Sequence, residues 1–456
     1  MINVTWIKTP FLFVLFLIFF SVNAQTGFLE RVDYDSIRTV ANSQNKLMFL
    51  LVHEQNENFE PLKASVSKKN RAFIGEKFVS GIVQVKRENF EHSLRKAFYL
   101  TSPVYLFADS EGYPILRYNR PIKDEKVLLQ LADSAHTLAK GETLGKLVRQ
   151  YKKGMRSRAL LTKLLTQYQF FNYYADQRIL GDYLSQLTVQ ELNNFETVVF
   201  LMKSGPVYNE NIYRLSRTNA KMVDSLYATL PLPTRININN RIIQQTFRQS
   251  LETSNFYLAH ELQQFVRGTW SPNYLRAEIS SAFYPMEYKR LTKDSLGYVA
   301  MARNYYNTHY YRVAPDSLAR LDYAVDQKIN VSRYQWQLKR VENEAFQKWF
   351  KVCESRYKYE HAQHLSYGAR QILTFAPNNT DALYDAIRWQ QKAIEQFPGS
   401  GLYHHTLAML LYKIGFSAQA ETELLRAKDL YKSNKIKYRE MEMLLKQMKS
   451  NKDLLI

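Results

Sequence analysis

Two rhythms of apolar and polar positions run along the chain. Residues 33–45, DYDSIRTVANSQN, place apolar side chains at helical spacing, and KLMFLLV (46–52) is a continuous apolar run bounded by polar residues. Such a run fits a strand buried on both faces. Residues 57–78 return to helical spacing, with Pro61 early enough for a first turn or a kink. GIVQV (81–85) reads as strand and ENFEHSLRKAFYL (88–100) as helix. VYLF and PILRY, joined by ADSEGY with Gly112 at the turn, read as a hairpin. Residues 123–140 close the region as an amphipathic helix. The order of helix, strand, helix, strand, helix, strand, strand, helix implies a central sheet with helices on both faces.

From residue 147 onward the spacing is helical almost throughout. The segments 147–171, 182–203 and 241–266 each read as one helix, and LPLPTR (230–235) and TWSPN (269–273) read as breaks. Near the C-terminus a period emerges: Ala386 and Ala420 stand 34 residues apart, as do Ala393 and Ala427. LYHHTLAMLLYKIGFSAQAETELLRAKDL (402–430) resembles a tetratricopeptide-type helical hairpin. Leu407, Ala408, Leu411, Gly415, Ala420, Leu424 and Ala427 occupy that pattern's positions, and Pro398 follows the preceding helix. The small residues let paired helices approach. FAPNN (375–379) marks another turn, but the 21-residue step from Pro377 to Pro398 breaks the period.

At the N-terminus Lys8 precedes FLFVLFLIFF (11–20) and then Val22-Asn23-Ala24, the pattern of an export signal cleaved after Ala24. The run is short for a membrane span, which needs about 20 residues. The expectation is an exported protein, periplasmic first, with secretion or association with the outer membrane as the alternatives. The single cysteine, Cys353, allows no intramolecular disulfide. It shares a helical face with Phe346, Trp349 and Phe350, which suits a small buried hydrophobe. The formal net charge is +20. Export argues against a nucleic-acid partner, so an anionic envelope surface or acidic macromolecules are what this charge would favour. The basic residues cluster at 146–163 and 428–452.

Three features carry a resemblance to the thioredoxin-like fold over residues 28–140. They are KLMFLLVH before a helix, Ser102-Pro103 before VYLF, and the SEG turn of the terminal hairpin. The resemblance implies that Pro103 is a cis-proline facing the site, with Ser102 its substrate-facing neighbour. It also implies that the family's C-x-x-C falls at Glu57-Asn58-Phe59-Glu60, where this chain has no cysteine. Dithiol exchange needs two thiols at a helix start, so it is excluded there. The expected fold class is α/β plus all-α: a thioredoxin-like domain followed by a long, partly tetratricopeptide-like helical region. The expected domains are a signal peptide (1–24), the thioredoxin-like domain (25–140), a helical region (141–360) and helical repeats (361–456). This order resembles that of a group of exported bacterial proteins.

Little else in the sequence carries chemistry. Carboxylates at Glu57 and Glu60 suit a helix start. HEQNE (53–57) and HELQQ (260–264) lack the second histidine of a zinc-protease helix. No G-x-S-x-G, phosphate loop or G-x-G-x-x-G occurs. No metal, cofactor or catalytic residue is expected. The function expected is a redox-inactive scaffold or chaperone-like factor that binds proteins or extended peptides. The alternatives are an accessory of a thiol-disulfide pathway that docks through Cys353, and a hydrolase or metalloenzyme without a readable motif.

Overall fold

A computed structural model describes residues 33–54, 68–85, 94, 104–120, 122, 124–271, 273–322 and 356–450. Its contacts divide the chain into two compact units, Met1–Glu252 and Thr253–Ile456. The described part is mostly helical, with one small mixed sheet. Among the described residues no helix is long and apolar enough to cross a membrane.

The first unit begins with α1 (Tyr34–Gln44), β1 (Leu47–Glu54), α2 (Lys68–Lys77), β2 (Phe78–Val85), β3 (Val104–Ala108), β4 (Pro114–Tyr118) and α3 (Glu125–Lys140). The sheet order is β2-β1-β3-β4. β1 runs parallel to β2 with Leu47 opposite Phe78, and antiparallel to β3 with Val52 opposite Val104. β3 and β4 form the expected hairpin. The unbroken apolar run of β1 has a physical cause: both of its faces are covered. Met48, Leu50 and Val52 pack with Ile37 of α1, while Phe49 and Leu51 pack with Ile74, Leu128 and Ala132 of α2 and α3. Burying each such side chain is worth about 1.5–3 kcal/mol. Phe49 stacks on Phe107 at 4.7 Å between ring centroids.

The hairpin turn is held by Asp109. Its carboxylate accepts from the backbone N–H of Glu111 at 3.1 Å and of Tyr113 at 2.9 Å, while Gly112 takes φ +98°. The same carboxylate presses on the next helix, α4 (Leu144–Lys152): a Cβ on Gly145 would lie 1.9 Å from Asp109 Oδ2. The remaining helices of this unit are α5 (Arg158–Phe170), α6 (Gln177–Leu184), α7 (Val189–Leu192), α8 (Phe195–Lys203), α9 (Asn211–Leu215), α10 (Ala220–Thr229) and α11 (Leu232–Glu252). Leu147, Leu161, Leu164, Leu180 and Leu201 build their common core.

Two arginines, Arg241 buried and Arg117 partly buried, lock the turn after α5. Arg117 of β4 donates to the carbonyl of Phe171 at 2.8 Å, and Arg241 of α11 to that of Tyr173 at 3.0 Å. The first contact places a cation at the negative end of α5. Burial pushes both guanidinium pKa values down to about 10.

In the second unit α12 (Phe256–Thr269), α13 (Tyr274–Leu291) and α14 (Ser295–Tyr306) precede a π-helical turn at Asn307–Tyr311 and a helical stretch at 315–322. Two helix pairs follow, α15 (Arg356–Phe375) with α16 (Thr380–Gln396) and α17 (Gly401–Lys413) with α18 (Ser417–Leu430), then α19 (Lys435–Lys449). The period residues do what the spacing requires. Ala386, Ala393, Ala408, Ala420, Leu424 and Ala427 are buried in one core around Trp389. Gly415 takes φ +90° in the turn between α17 and α18.

The expected break at 230–235 narrows to Leu230 and Pro231, because α11 already begins at Leu232, and the expected helices differ from these in three further places. The segment 147–171 is two helices, broken at Gly154 (φ +95°) and restarted by Ser157, whose hydroxyl accepts from Leu160 N–H. The segment 182–203 contains the end of α6, then α7 and α8, restarted by side-chain caps at Thr188 and Asn194. The segment 241–266 breaks at Ser254 (φ +52°) and restarts at the Asn255 cap. β2 also begins at Phe78, three residues before the expected GIVQV, because Phe78, Val79 and Ser80 pair with Leu47, Met48 and Phe49.

Candidate functional site

β1 exits the sheet and β3 enters it at the same end, where Val52 faces Val104 and Glu54 faces Val85. This is the carboxyl end of the two parallel strands, the edge at which open α/β sheets generally place ligands. His53 sits there, buried at 8% exposure. Glu57, Asn58, Phe59, Glu60, Ser102 and Pro103 lie outside the described residues, as does Cys353.

The basic cluster at 146–163 is largely neutralised within the first unit. Arg149 pairs with Glu111 at 2.5 Å, Arg156 with Asp182 at 2.8 Å, Arg158 with Glu191 at 2.5 Å and Lys163 with Glu142 at 2.9 Å. Lys146 donates to the last carbonyls of α3, at Ala139, Lys140 and Gly141. Much of the C-terminal cluster is paired too: Lys428 with Glu442, Lys437 with Glu440 and Lys449 with Glu421. Exposed pairs of this kind contribute little to stability. Their effect here is to lower the local potential, so neither cluster is a bare cationic patch.

The densest polar chemistry lies inside the second unit. Asp385 of α16 is 1% exposed and accepts from Arg303 of α14 at 2.5 Å and from Arg388 one turn along its own helix. The π-helical turn leaves carbonyls without helical partners. Lys392 of α16 donates to those of Tyr311 and Val313, and Trp389 Nε1 donates to Asn307 Oδ1 at 2.7 Å. Tyr310, within this turn, lies 5.0 Å from the His361 ring and 4.7 Å from that of His364. Burial first, then the neighbouring His364 and Lys392, pushes the His361 imidazole down to about 4. His404 bridges helices, with Nδ1 2.6 Å from Glu423 and Nε2 2.9 Å from the carbonyl of Pro398. The Arg303–Asp385 and His404–Glu423 contacts each join one helix to another, and Trp389 and Lys392 tie α16 to the π-helical turn and the residues just after it. Among the described residues no three metal-binding side chains cluster.

Sequence reasoning passed over Asp385, Arg303 and Lys392. The i, i+3 spacing of Asp385 and Arg388 was a usable signal, but the 82 positions between Arg303 and Asp385 leave none. Compared with protein-family models, with curated proteins and with solved structures, the chain matches none of them.

Proposed function

We propose that this chain is a redox-inactive, thioredoxin-like protein that binds polypeptide partners, with its helical region as a second binding surface. The observation that carries this reading is the sheet. A strand order of β2-β1-β3-β4, parallel across the first pair and antiparallel across the other two, is the order a thioredoxin-like domain requires. One cysteine in 456 residues leaves no dithiol to exchange. The alanine-lined helix pairs of the second unit support the tetratricopeptide-like part of the proposal. Placement in the bacterial envelope rests on the N-terminal signal pattern alone, and an anionic envelope surface remains a second class of partner on the net charge of +20.

Arrayed decapeptides probed with the labelled full chain test the proposal. Binding to a subset of extended sequences, weakened at least tenfold by Pro103→Ala, is the expected result. Failure of every decapeptide to bind would remove the peptide-binding reading. An unchanged pattern in Pro103→Ala would remove the role given to the sheet end.

A further inference from the structure

FAPNN (375–379), the turn between α15 and α16, forms one wall of an open cleft in the second unit. The cleft holds about 600 Å³, and its other wall is the start of α14. Local chemistry makes the turn. α15 stops at Phe375, since Ala376 precedes a proline and is steered away from helical backbone. Asn379 then starts α16 by accepting from the N–H of Ala382 at 3.1 Å. On the other wall Asp294 starts α14 by accepting from the N–H of Gly297 at 2.9 Å.

The apolar lining is held in place from behind. Phe375 packs at 5.3 Å on the fully buried ring of Tyr298, and Val299 is itself buried. Leu296 lines the cleft too, yet at 83% it is the most exposed large apolar side chain among the described residues. The charges are uneven. Asp294, just before the cleft, is neutralised by Lys289 at 2.8 Å. Asp381 of α16 lines the cleft, is exposed, and has no ion-pair partner among the described residues. No lysine or arginine among those residues lines the cleft, in a chain whose formal net charge is +20. A preformed apolar wall beside one uncompensated carboxylate is complementary to a large apolar side chain next to a cation.

We propose that this cleft docks polypeptide segments in which a large apolar residue is followed by lysine or arginine. The apolar side chain lies against Leu296 and Phe375, and the cation meets Asp381. The inference rests on the reading of the helical region as a polypeptide-binding surface and names the chemistry its partner must carry.

The test uses three fluorescein-labelled decapeptide pools, randomised except for a central leucine–lysine, leucine–glutamine or serine–lysine pair. Each is titrated by anisotropy against the full chain and against Pro103→Ala, which disables the site proposed at the sheet end. The leucine–lysine pool should bind tightest to both. Losing the leucine should weaken binding roughly tenfold, as one buried side chain implies. Losing the lysine should weaken it about threefold, as one exposed ion pair implies, and only this difference should shrink at about 1 M salt. Leu296→Ser should erase the leucine preference and Asp381→Asn the lysine preference. Met443→Ser, at another exposed apolar residue, should erase neither. Leu296 and Asp381 are exposed, so both variants should melt as the wild type does. If Asp381→Asn melts lower, Leu296→Ser and the salt dependence carry the test. Equal binding of the three pools, or preferences that survive in the variants, means that Asp381 serves only its helix start, and overturns the inference while leaving peptide binding intact. Self-association of the chain that Leu296→Ser abolishes assigns the cleft to a second copy and overturns it as well. No binding by any decapeptide overturns both this inference and the reading beneath it.

Discussion

Adding one methyl group at Gly368 and at Gly268 should have opposite effects on local stability. Both glycines lie in helices, α15 and α12, where alanine is favoured over glycine by about 1 kcal/mol. At Gly268 nothing lies within 4 Å of the added Cβ, so the gain is free, reduced to about 0.5 kcal/mol near the helix end. At Gly368 the Cβ lands 2.7–2.8 Å from three carbons of the Tyr306 ring, where ordinary contact begins at 3.4 Å. That ring has nowhere to retreat. It is 1% exposed and packed at 5.1 Å against both Trp389 and Tyr305. Overpacking of this kind costs about 1–3 kcal/mol. With a rigid buried ring as the obstacle the upper end applies, leaving a net loss of about 2 kcal/mol after the helical gain. Hydrogen exchange read by peptide mass spectrometry reports each helix separately, which suits a chain of two units. Gly368→Ala should lose protection roughly 30-fold in α14 and α15. Gly268→Ala should gain about twofold in α12. Equal or greater protection in Gly368→Ala would refute the claim that the aromatic core around Tyr306 is close-packed.

Two further tests probe the polar interior. Replacing Arg303 and Arg388 together by methionine leaves the buried Asp385 carboxylate without a cation, at a cost of about 3–5 kcal/mol. Adding Asp385→Asn should recover most of it, as read by urea denaturation. For His361 the folded imidazole sits near 4 against 6.5 for a solvated histidine, so between those values the unfolded chain binds the proton and the folded chain does not. Stability is therefore full above pH 6.5 and falls with acid, by roughly 3 kcal/mol on reaching pH 4. Comparing wild type with His361→Gln at about pH 7 and about pH 4.5 isolates this part of the loss, and equal acid sensitivity would disprove it.

The sheet was legible in the sequence because its strands are buried on both faces, and a continuous apolar run as short as KLMFLLV suits little but a covered strand. The hairpin was legible because Gly112 stands where the turn needs a positive φ. The long helical segments misled for a local reason. Apolar spacing carries on through a break when the next helix packs into the same core, as Leu147, Leu161 and Leu164 do on either side of Gly154. The stop and start signals were present, in Gly154 and the caps at Ser157 and Asn255, and outweigh the period. Of the candidate chemistry, Asp385 showed in the sequence only through its i, i+3 spacing to Arg388, and its pairing with Arg303 carried no readable sign. A partner 82 positions away is a property of the packed chain and not of any window of sequence.

The contact between Asp109 and Gly145 also constrains the order in which this protein can change. While the carboxylate stands 1.9 Å from where a Cβ would go, every substitution at residue 145 collides with it, and Tyr113 crowds the same spot at 3.2 Å. Asp109 is tied in turn to the backbone of its own hairpin. Diversification at 145 must therefore wait on a prior change at 109 that shortens or redirects that side chain. Asp109→Ser or Asp109→Gly would open the path, while the reverse order passes through a poorly folded intermediate. Relatives that carry a side chain at the position of Gly145 should accordingly have lost the aspartate, making the pair a record of which step came first.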